Sequence, residues 1–166
     1  GAISCILHGD LPPQEQDLAV APSERRKVIF STNVAESSVT IDGVTAVVDT
    51  GLARVSVFDP WTGFSRLETA PISQSSAVQR AGRAGRTGAG IAIRLYTKND
   101  FQKRTEHAAP EIETADLASL LLELSAYDQG ELPWLTPPPA AAARSALDLL
   151  ARLGALDPKG ERVTDL

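Results

Sequence analysis

Three side chains that can bind phosphate recur at helical spacing in one short stretch, Gln79-Arg-Ala-Gly-Arg-Ala-Gly-Arg86. Gln79, Arg83 and Arg86 stand at positions i, i+4 and i+7, so a helix places them on one face. Arg80 points elsewhere. The guanidinium of arginine is a planar, permanently charged fork that matches phosphate oxygens and neutralises charge developing during phosphoryl transfer. The spacing therefore predicts a polyphosphate-binding face, with Arg83 and Arg86 projecting from an exposed edge. A solvated basic helix face is the simpler alternative.

Two glycines interrupt this helix, Gly82 and Gly85. Each costs about 1 kcal/mol relative to alanine inside a helix. Their presence suggests that something approaches the backbone closely there, and a nucleotide or a facing protein lobe would qualify.

The elements that must position this helix alternate as they do in parallel α/β units. Residues 54–70 are predicted to form a β-hairpin around the turn cluster Asp59-Pro-Trp-Thr-Gly63, for which a simple connector between strands is the alternative. Strands are predicted at Ile3–Leu7, Lys27–Ser31, Thr45–Asp49 and Ile91–Leu95, and helices at Pro12–Val20, Ser75–Gly85 and Asn99–Arg104. The second and third of these strands are predicted to lie in the interior of a covered sheet.

The chain beyond Pro110 has a different pattern, with helices predicted at Asp116–Leu124 and Ala140–Leu153. Gly154 is expected to cap the second helix, and the tail Ala155–Thr164 has the length of a small β-wing. Helix, helix and wing together predict a winged-helix fold. We therefore expect two domains, an α/β domain at residues 1–104 and a truncated winged helix at 105–166.

Charge divides the chain at the same place. Residues 1–104 hold 12 lysines and arginines against 10 acidic residues, whereas residues 105–166 hold 4 against 11, and the whole chain carries a net charge of −5. A strongly basic, free-standing nucleic-acid binder is disfavoured, because phosphate neutralisation dominates non-specific affinity.

Other classes of site and location are limited by composition. One cysteine, Cys5, cannot form an internal disulfide, and no Cys/His cluster has zinc-ligand spacing, so no metal site is predicted. No apolar run reaches the roughly 18 residues of a membrane span, and no secretory pattern opens the chain. We expect a cytoplasmic protein without a membrane partner.

Two long motifs carry a family resemblance. The stretch from Gln79 to Arg86 resembles motif VI of superfamily 2 helicases, and Ser31-Thr-Asn-Val-Ala-Glu-Ser-Ser-Val-Thr-Ile-Asp-Gly43 resembles motif V in its DEAH-box form. The chain resembles DEAH-box RNA helicases, most of all their bacterial HrpB-type members. Further matches are Leu7-His-Gly-Asp-Leu-Pro-Pro-Gln-Glu-Gln16, Val48-Asp-Thr-Gly51, Phe58-Asp-Pro-Trp-Thr-Gly63, Pro110-Glu-Ile112 with Leu120–Leu124, and Leu153-Gly-Ala-Leu156.

The resemblance implies roles for residues around a nucleotide. Arg83 and Arg86 would act as arginine fingers on ATP, or another NTP, and Gln79 would hold the attacking water. Asp42 would help to orient the nucleotide, and Ser38 would sense the γ-phosphate and couple its loss to movement of motif V.

The resemblance also implies contacts with single-stranded or partly duplex RNA. Thr32 and Asn33 would touch the RNA backbone, and short hydroxyl and amide side chains suit sequence-independent contacts to phosphate and 2′-OH. Phe58 and Trp61, expected to be exposed on the hairpin, would contact bases. An ordinary strand and polar loop remain the alternative for the motif V stretch.

The fold implied is a RecA-like C-terminal lobe that lacks its first strand and helix. Mg²⁺ and most of the ATP site would belong to an absent N-terminal RecA-like lobe, so this fragment alone would be inactive. Leu18-Ala-Val20 stands where many DEAH-box proteins carry an adenine-stacking ring, which implies poor base selectivity. The alternatives are a non-catalytic nucleic-acid or protein-binding fragment and a related DNA helicase; the sequence does not indicate whether a protein activator is needed.

Overall fold

The computed structural model describes residues 1–37, 39, 41–59, 62–86, 88–127, 132–157 and 163–164. It divides into two compact units. The first comprises Gly1–Val55 and Thr69–Ala108, and the second comprises Ser56–Glu68 and Ala109–Leu166. The predicted division at residue 104 into two named domains stays a prediction.

The elements follow the predicted order closely. They are β1 (Ile3–Leu7), α1 (Pro13–Val20), β2 (Lys27–Ser31), α2 (Val34–Ser37), β3 (Ala46–Asp49), β4 (Leu52–Asp59), β5 (Phe64–Pro71), α3 (Gln74–Ala84), β6 (Ile91–Arg94), α4 (Lys98–Lys103), α5 (Glu111–Thr114), α6 (Ala118–Ala126) and α7 (Ala140–Arg152). Among the described residues, no helix is long and apolar enough to span a membrane.

The first unit is built from parallel strand pairs, as the α/β prediction requires. β1 pairs with β2 in register from Ile3 opposite Lys27 to Leu7 opposite Ser31, and β3 pairs with β6 from Ala46 opposite Ile91. Parallel strands need a crossover, which α1 provides between β1 and β2. Consecutive strands β4 and β5 form the separate predicted hairpin.

The prediction that β2 and β3 lie in the interior of a covered sheet is wrong. The described pairing gives two-stranded sheets, and large apolar side chains on these two strands are exposed, with Phe30 of β2 at 63% and Val48 of β3 at 62%. The physical reason is that α1 packs on β1 and α3 packs on β3 and β6, which leaves the strands partly open. Among the described residues of this unit, the buried apolar ones are Leu7, Ala19, Ile72, Ala77 and Ala84.

Helix α3 has a well-defined start. The Ser73 hydroxyl accepts a hydrogen bond from the Ser76 N–H, as an N-cap does. The N–H groups of Gln74 and Ser75 donate to the carbonyls of Thr105 and Glu106, so free donors of the first turn are satisfied. These bonds fix the start of the helix that carries the candidate phosphate-binding residues.

The second unit packs α6 against α7, with Ala146, Leu150 and Leu156 buried. Gly154 ends α7 with a positive φ of 74° and donates its N–H to the Ala151 carbonyl, as a C-cap glycine does. Leu156 and Val163 form an antiparallel bridge, but residues 158–162 between them lie outside the described residues. The winged-helix assignment therefore stays a prediction.

Candidate functional site

Helix α3 brings the three predicted catalytic residues to one open cleft. Gln79, Arg83 and Arg86 line it together with Gly82 and with Glu36 of α2, around a volume of about 420 Å³. A Cβ built on Gly82 would meet no atom within 4 Å in the described structure. The glycine therefore leaves open space in the wall of the cleft, where an incoming group can approach the helix backbone.

Arg83 and Arg86 differ in their surroundings, so the prediction that both project from an exposed edge holds only for Arg86. Arg86 is exposed just beyond the end of α3. Arg83 is half-buried and donates from Nε to the Glu36 carbonyl at 2.8 Å and from Nη1 to the Val39 carbonyl at 2.8 Å. Its Nη2 also donates to the Glu36 carbonyl. The physical reason is that Glu36 of α2 and Val39 lie against this face of α3.

The acceptors of Arg83 are neutral carbonyls, so its charge is not cancelled by a carboxylate in these contacts. A guanidinium has five N–H donors, and the three bonds above leave two without a hydrogen-bond partner among the described residues. Arg83 can therefore hold the segment after α2 and still attract a phosphate group across the cleft.

Arg80 turns away from the cleft, as predicted, and joins three elements. Its Nε donates to Glu36 Oε2 at 3.0 Å, and its Nη1 donates to Asp49 Oδ1 at 3.0 Å and to the Leu52 carbonyl at 3.0 Å. The side chains of the ion pairs are only 14% exposed at Arg80, 15% at Glu36 and 4% at Asp49. Burial of this kind is tolerated when each charge has partners.

Asp49, at the end of β3, is the centre of this cluster. Burial by itself raises the pKa of its carboxyl, but hydrogen bonds from the Gly51 N–H, Arg80 and the Tyr96 hydroxyl outweigh it, so the pKa lies below its ordinary 3.8. Burial, and then the hydrogen bond to Asp49, raise the pKa of Tyr96 above its ordinary 10.0. Asp49 therefore stays ionised and Tyr96 stays protonated at neutral pH.

The root of the β4–β5 hairpin, where Gly51 precedes β4 and Ile72 follows β5, is clamped beside Asp49. The Ile72 N–H donates to the Gly51 carbonyl at 3.0 Å, and Arg104 Nη1 donates to the same carbonyl at 2.8 Å and to that of Ile72 at 3.4 Å. The Arg104 guanidinium stacks on the Tyr96 ring at 4.0 Å and pairs with Asp100 at 2.6 Å.

Three further predicted residues, Thr32, Asn33 and Asp42, do not line the cleft. Thr32 and Asn33 are exposed between β2 and α2, and Asp42 is exposed in the turn before Gly43. Ser38 and Trp61 lie outside the described residues.

Phe58 is half-buried, so its predicted exposure is wrong. It lines a groove of about 310 Å³ within the second unit, together with Gly63, residues 115–117 and one face of α7. The reason is that Phe58 and Gly63 near the hairpin turn border the same groove as this face. Its predicted contact with bases stays a prediction.

Sequence reasoning missed the roles of Glu36, Asp49, Tyr96 and Arg104. One signal for Asp49 was available: it stands at the carboxyl end of a β-branched strand and is followed by Thr50-Gly51, a polar turn in a position where parallel sheets place functional groups. Tyr96 and Arg104 carry no comparable local signal.

Comparison with known proteins identifies the class. Residues 1–88 match the family model of the helicase conserved C-terminal domain. The match covers more than half of the chain, and the chain belongs to this family. It also confirms the helicase resemblance of the motifs on α3 and after β2.

Individual relatives narrow the likeness. The chain is 43% identical over 165 residues to ATP-dependent RNA helicase HrpB of Escherichia coli (strain K12), covering 96% of the chain and 20% of that protein. It is 44% identical over 160 residues to probable ATP-dependent RNA helicase DHR2 of Saccharomyces cerevisiae, covering 93% and 22%. The crystal structure of Escherichia coli DEAH/RHA helicase HrpB matches with a TM-score of 0.88 at 41% identity, covering 98% of the chain and 21% of that one. The chain thus spans about a fifth of these relatives, and the predicted α/β fold is confirmed.

Proposed function

We propose that this chain is the C-terminal RecA-like part of an ATP-dependent RNA helicase of the DEAH-box class, and that it supplies arginine fingers for NTP hydrolysis. The observation that carries the proposal is the cleft on α3, in which Gln79, Arg83 and Arg86 share one open face. Helicases named as ATP-dependent RNA helicases share more than 40% identity with the chain, which supports the same assignment.

The chemistry of the cleft fits a polyphosphate. Phosphoryl transfer needs positioning and neutralisation of charge on the transferred group, for which arginine is the suited cation. Arg86 is exposed, and Arg83 has two N–H groups without a partner among the described residues, beside neutral carbonyls. Gln79, on the same face, has the amide needed to orient an attacking water, and we assign it that role.

A second lobe would have to complete the site. Among the described residues, no group of three or more His, Cys, Asp or Glu side chains is placed to hold a metal ion. Glu36 and Asp49 are engaged by Arg80. From the motif resemblance we assign the Mg²⁺ ligands and the phosphate-binding loop to a separate N-terminal RecA-like lobe; Mg²⁺ held there would neutralise phosphate charge.

RNA contacts form the second part of the proposal. Thr32 and Asn33 are exposed together just after β2, which supports a backbone contact that does not read sequence. We also assign Asp42 and Ser38 to the nucleotide side of the cleft, and Phe58 and Trp61 to base contact, from the motif resemblance. A cytoplasmic location stays a prediction.

The test replaces the arginines in the full-length helicase that contains this chain. Arg86→Ala and the Arg83→Ala/Arg86→Ala double variant should lower RNA-stimulated ATP hydrolysis about 10³-fold or more, while ATP binding measured with a fluorescent analogue is retained. Arg25→Ala is the matched control, because Arg25 is exposed before β2 and does not line the cleft. Normal turnover in the double variant would rule out the assignment.

A further inference from the structure

We propose that Arg80 is a positioning residue that ties the arginine-bearing helix α3 to the root of the β4–β5 hairpin. The proposed function assigns base contact to Phe58 and Trp61 of this hairpin, so NTP hydrolysis and duplex unwinding are coupled through the Arg80 side chain. The inference rests on the proposed function and adds a residue to it. Arg80 does not line the cleft and is not assigned a contact with nucleotide.

The geometry gives Arg80 one acceptor on each of three elements. Glu36 belongs to α2, Asp49 ends β3, and Leu52 is the first residue of β4. All three bonds are 3.0 Å long and the side chain is 14% exposed, so the guanidinium is held in one orientation.

Glu36 is bound twice by the same helix. Arg80 takes its carboxylate, and Arg83, one turn further along α3, takes its carbonyl. Any shift of α3 that follows engagement of Arg83 by a phosphate group would therefore be transmitted to α2 and, through Arg80, to the start of β4. The path runs over hydrogen bonds within the first unit.

Hydrogen bonds hold the two strands together at the hairpin root, so a shift at the start of β4 would move both strands. Ile72 and Gly51 are hydrogen-bonded to each other across the two strands, and Arg104 binds both of their carbonyls. Asp49 accepts the Gly51 N–H at 2.9 Å while it also pairs with Arg80. Both strands of the hairpin therefore start from a fixed point, and Arg80 joins that point to the catalytic helix.

An ordinary structural ion pair would have the same distances but a different consequence. If Arg80 has only a structural role, replacing it should lower the melting temperature and the unwinding activity together. Coupling requires that unwinding per ATP hydrolysed falls even in a variant that folds and turns over ATP. Lysine keeps the charge but lacks the planar fork that reaches several acceptors at once, so Arg80→Lys separates the two cases.

The experiment uses the full-length helicase and measures melting temperature, kcat and KM for RNA-stimulated ATP hydrolysis, and unwinding of a tailed RNA duplex. For Arg80→Lys we expect KM for ATP within about 2-fold of wild type and unwinding per ATP lowered about 10-fold or more. Arg94→Lys is the matched control, because Arg94 stacks on Phe101 in the same unit and is not among the described hydrogen-bond partners of the hairpin root. It should keep its unwinding per ATP.

A second variant guards against a simple loss of folding. Arg80→Gln/Asp49→Asn removes one positive and one negative charge, so the net charge of the cluster of Arg80, Glu36 and Asp49 stays the same. We expect its melting temperature to recover relative to Arg80→Gln while unwinding per ATP stays low. Recovery of unwinding in step with melting temperature, or normal unwinding per ATP in Arg80→Lys, would overturn the inference while leaving the proposed function intact. A wild-type enzyme without RNA-stimulated hydrolysis would overturn both.

Discussion

The three arginines of the Gln79–Arg86 stretch differ in the acceptors that their side chains contact. Arg80 pairs with two carboxylates, Arg83 donates to main-chain carbonyls, and Arg86 is exposed to solvent. Sequence spacing distinguished the first from the other two, because a helix turns Arg80 to another face. It could not distinguish Arg83 from Arg86, because the carbonyls belong to a segment more than 40 residues earlier.

The ionised state of Asp49 gives a prediction at this scale. Its pKa is lowered in the folded protein, so its contribution to stability is present above the unfolded pKa and is lost as pH falls through the lower folded value. At about pH 6 the wild-type chain should have a higher melting temperature than the Asp49→Asn variant. The difference in melting temperature should shrink as the pH drops below about 4.

Melting curves between these pH values test this, with Asp10→Asn as the control. The Asp10 side chain is fully exposed, so its replacement should change the melting temperature little at any pH. A gap for Asp49→Asn that stays constant down to the lowest pH would contradict the assignment of its charge.

At the scale of elements, local sequence signals determined most of the fold. β1 and β2 have the predicted bounds, and α3 begins one residue earlier than predicted because Ser73 caps it. These features depend on strand propensity and capping, which are local. Coverage of the strands was mispredicted, because apolar composition shows that a strand can be buried but does not show which elements lie on it.

Gly51 gives a prediction about the hairpin as an element. Its φ is +73°, and a Cβ there would lie 2.5 Å from Tyr96 Cδ1 and 2.7 Å from Arg104 Nη2. Gly51→Ala should lower the free energy of unfolding by about 2–4 kcal/mol, from backbone strain plus displacement of the two packed side chains.

Gly63 is the matched control, because its φ is +72° but a Cβ there would meet no atom within 4 Å in the described structure. Gly63→Ala should cost only the backbone term of about 1–2 kcal/mol. Urea denaturation of the two variants measures the difference, and equal losses would show that the contacts with Tyr96 and Arg104 contribute nothing.

At the scale of the whole molecule, charge limits what the chain can do alone. Net charge is −5, with the acidic excess in residues 105–166. The arginines that we assign to phosphate, Arg83 and Arg86, lie on α3 and just beyond its end. The chain should therefore bind a DNA duplex only weakly, with a Kd of about 10⁻⁴ M at physiological salt. Fluorescence anisotropy with a labelled duplex measures this, and submicromolar binding would favour the alternative of a free-standing nucleic-acid-binding module.

The bonds that Arg83 makes have a consequence for how the protein tolerates mutation. Their acceptors are main-chain oxygens of Glu36 and Val39, which every amino acid possesses. Replacing the side chain at either position leaves those oxygens in place. The ion pair between Arg80 and Glu36, in contrast, is lost when the Glu36 carboxylate is removed. Glu36→Gln should therefore weaken the contact of Arg80 with α2 while the contacts of Arg83 are retained, and substitution at position 39 should have little effect on how α3 is held.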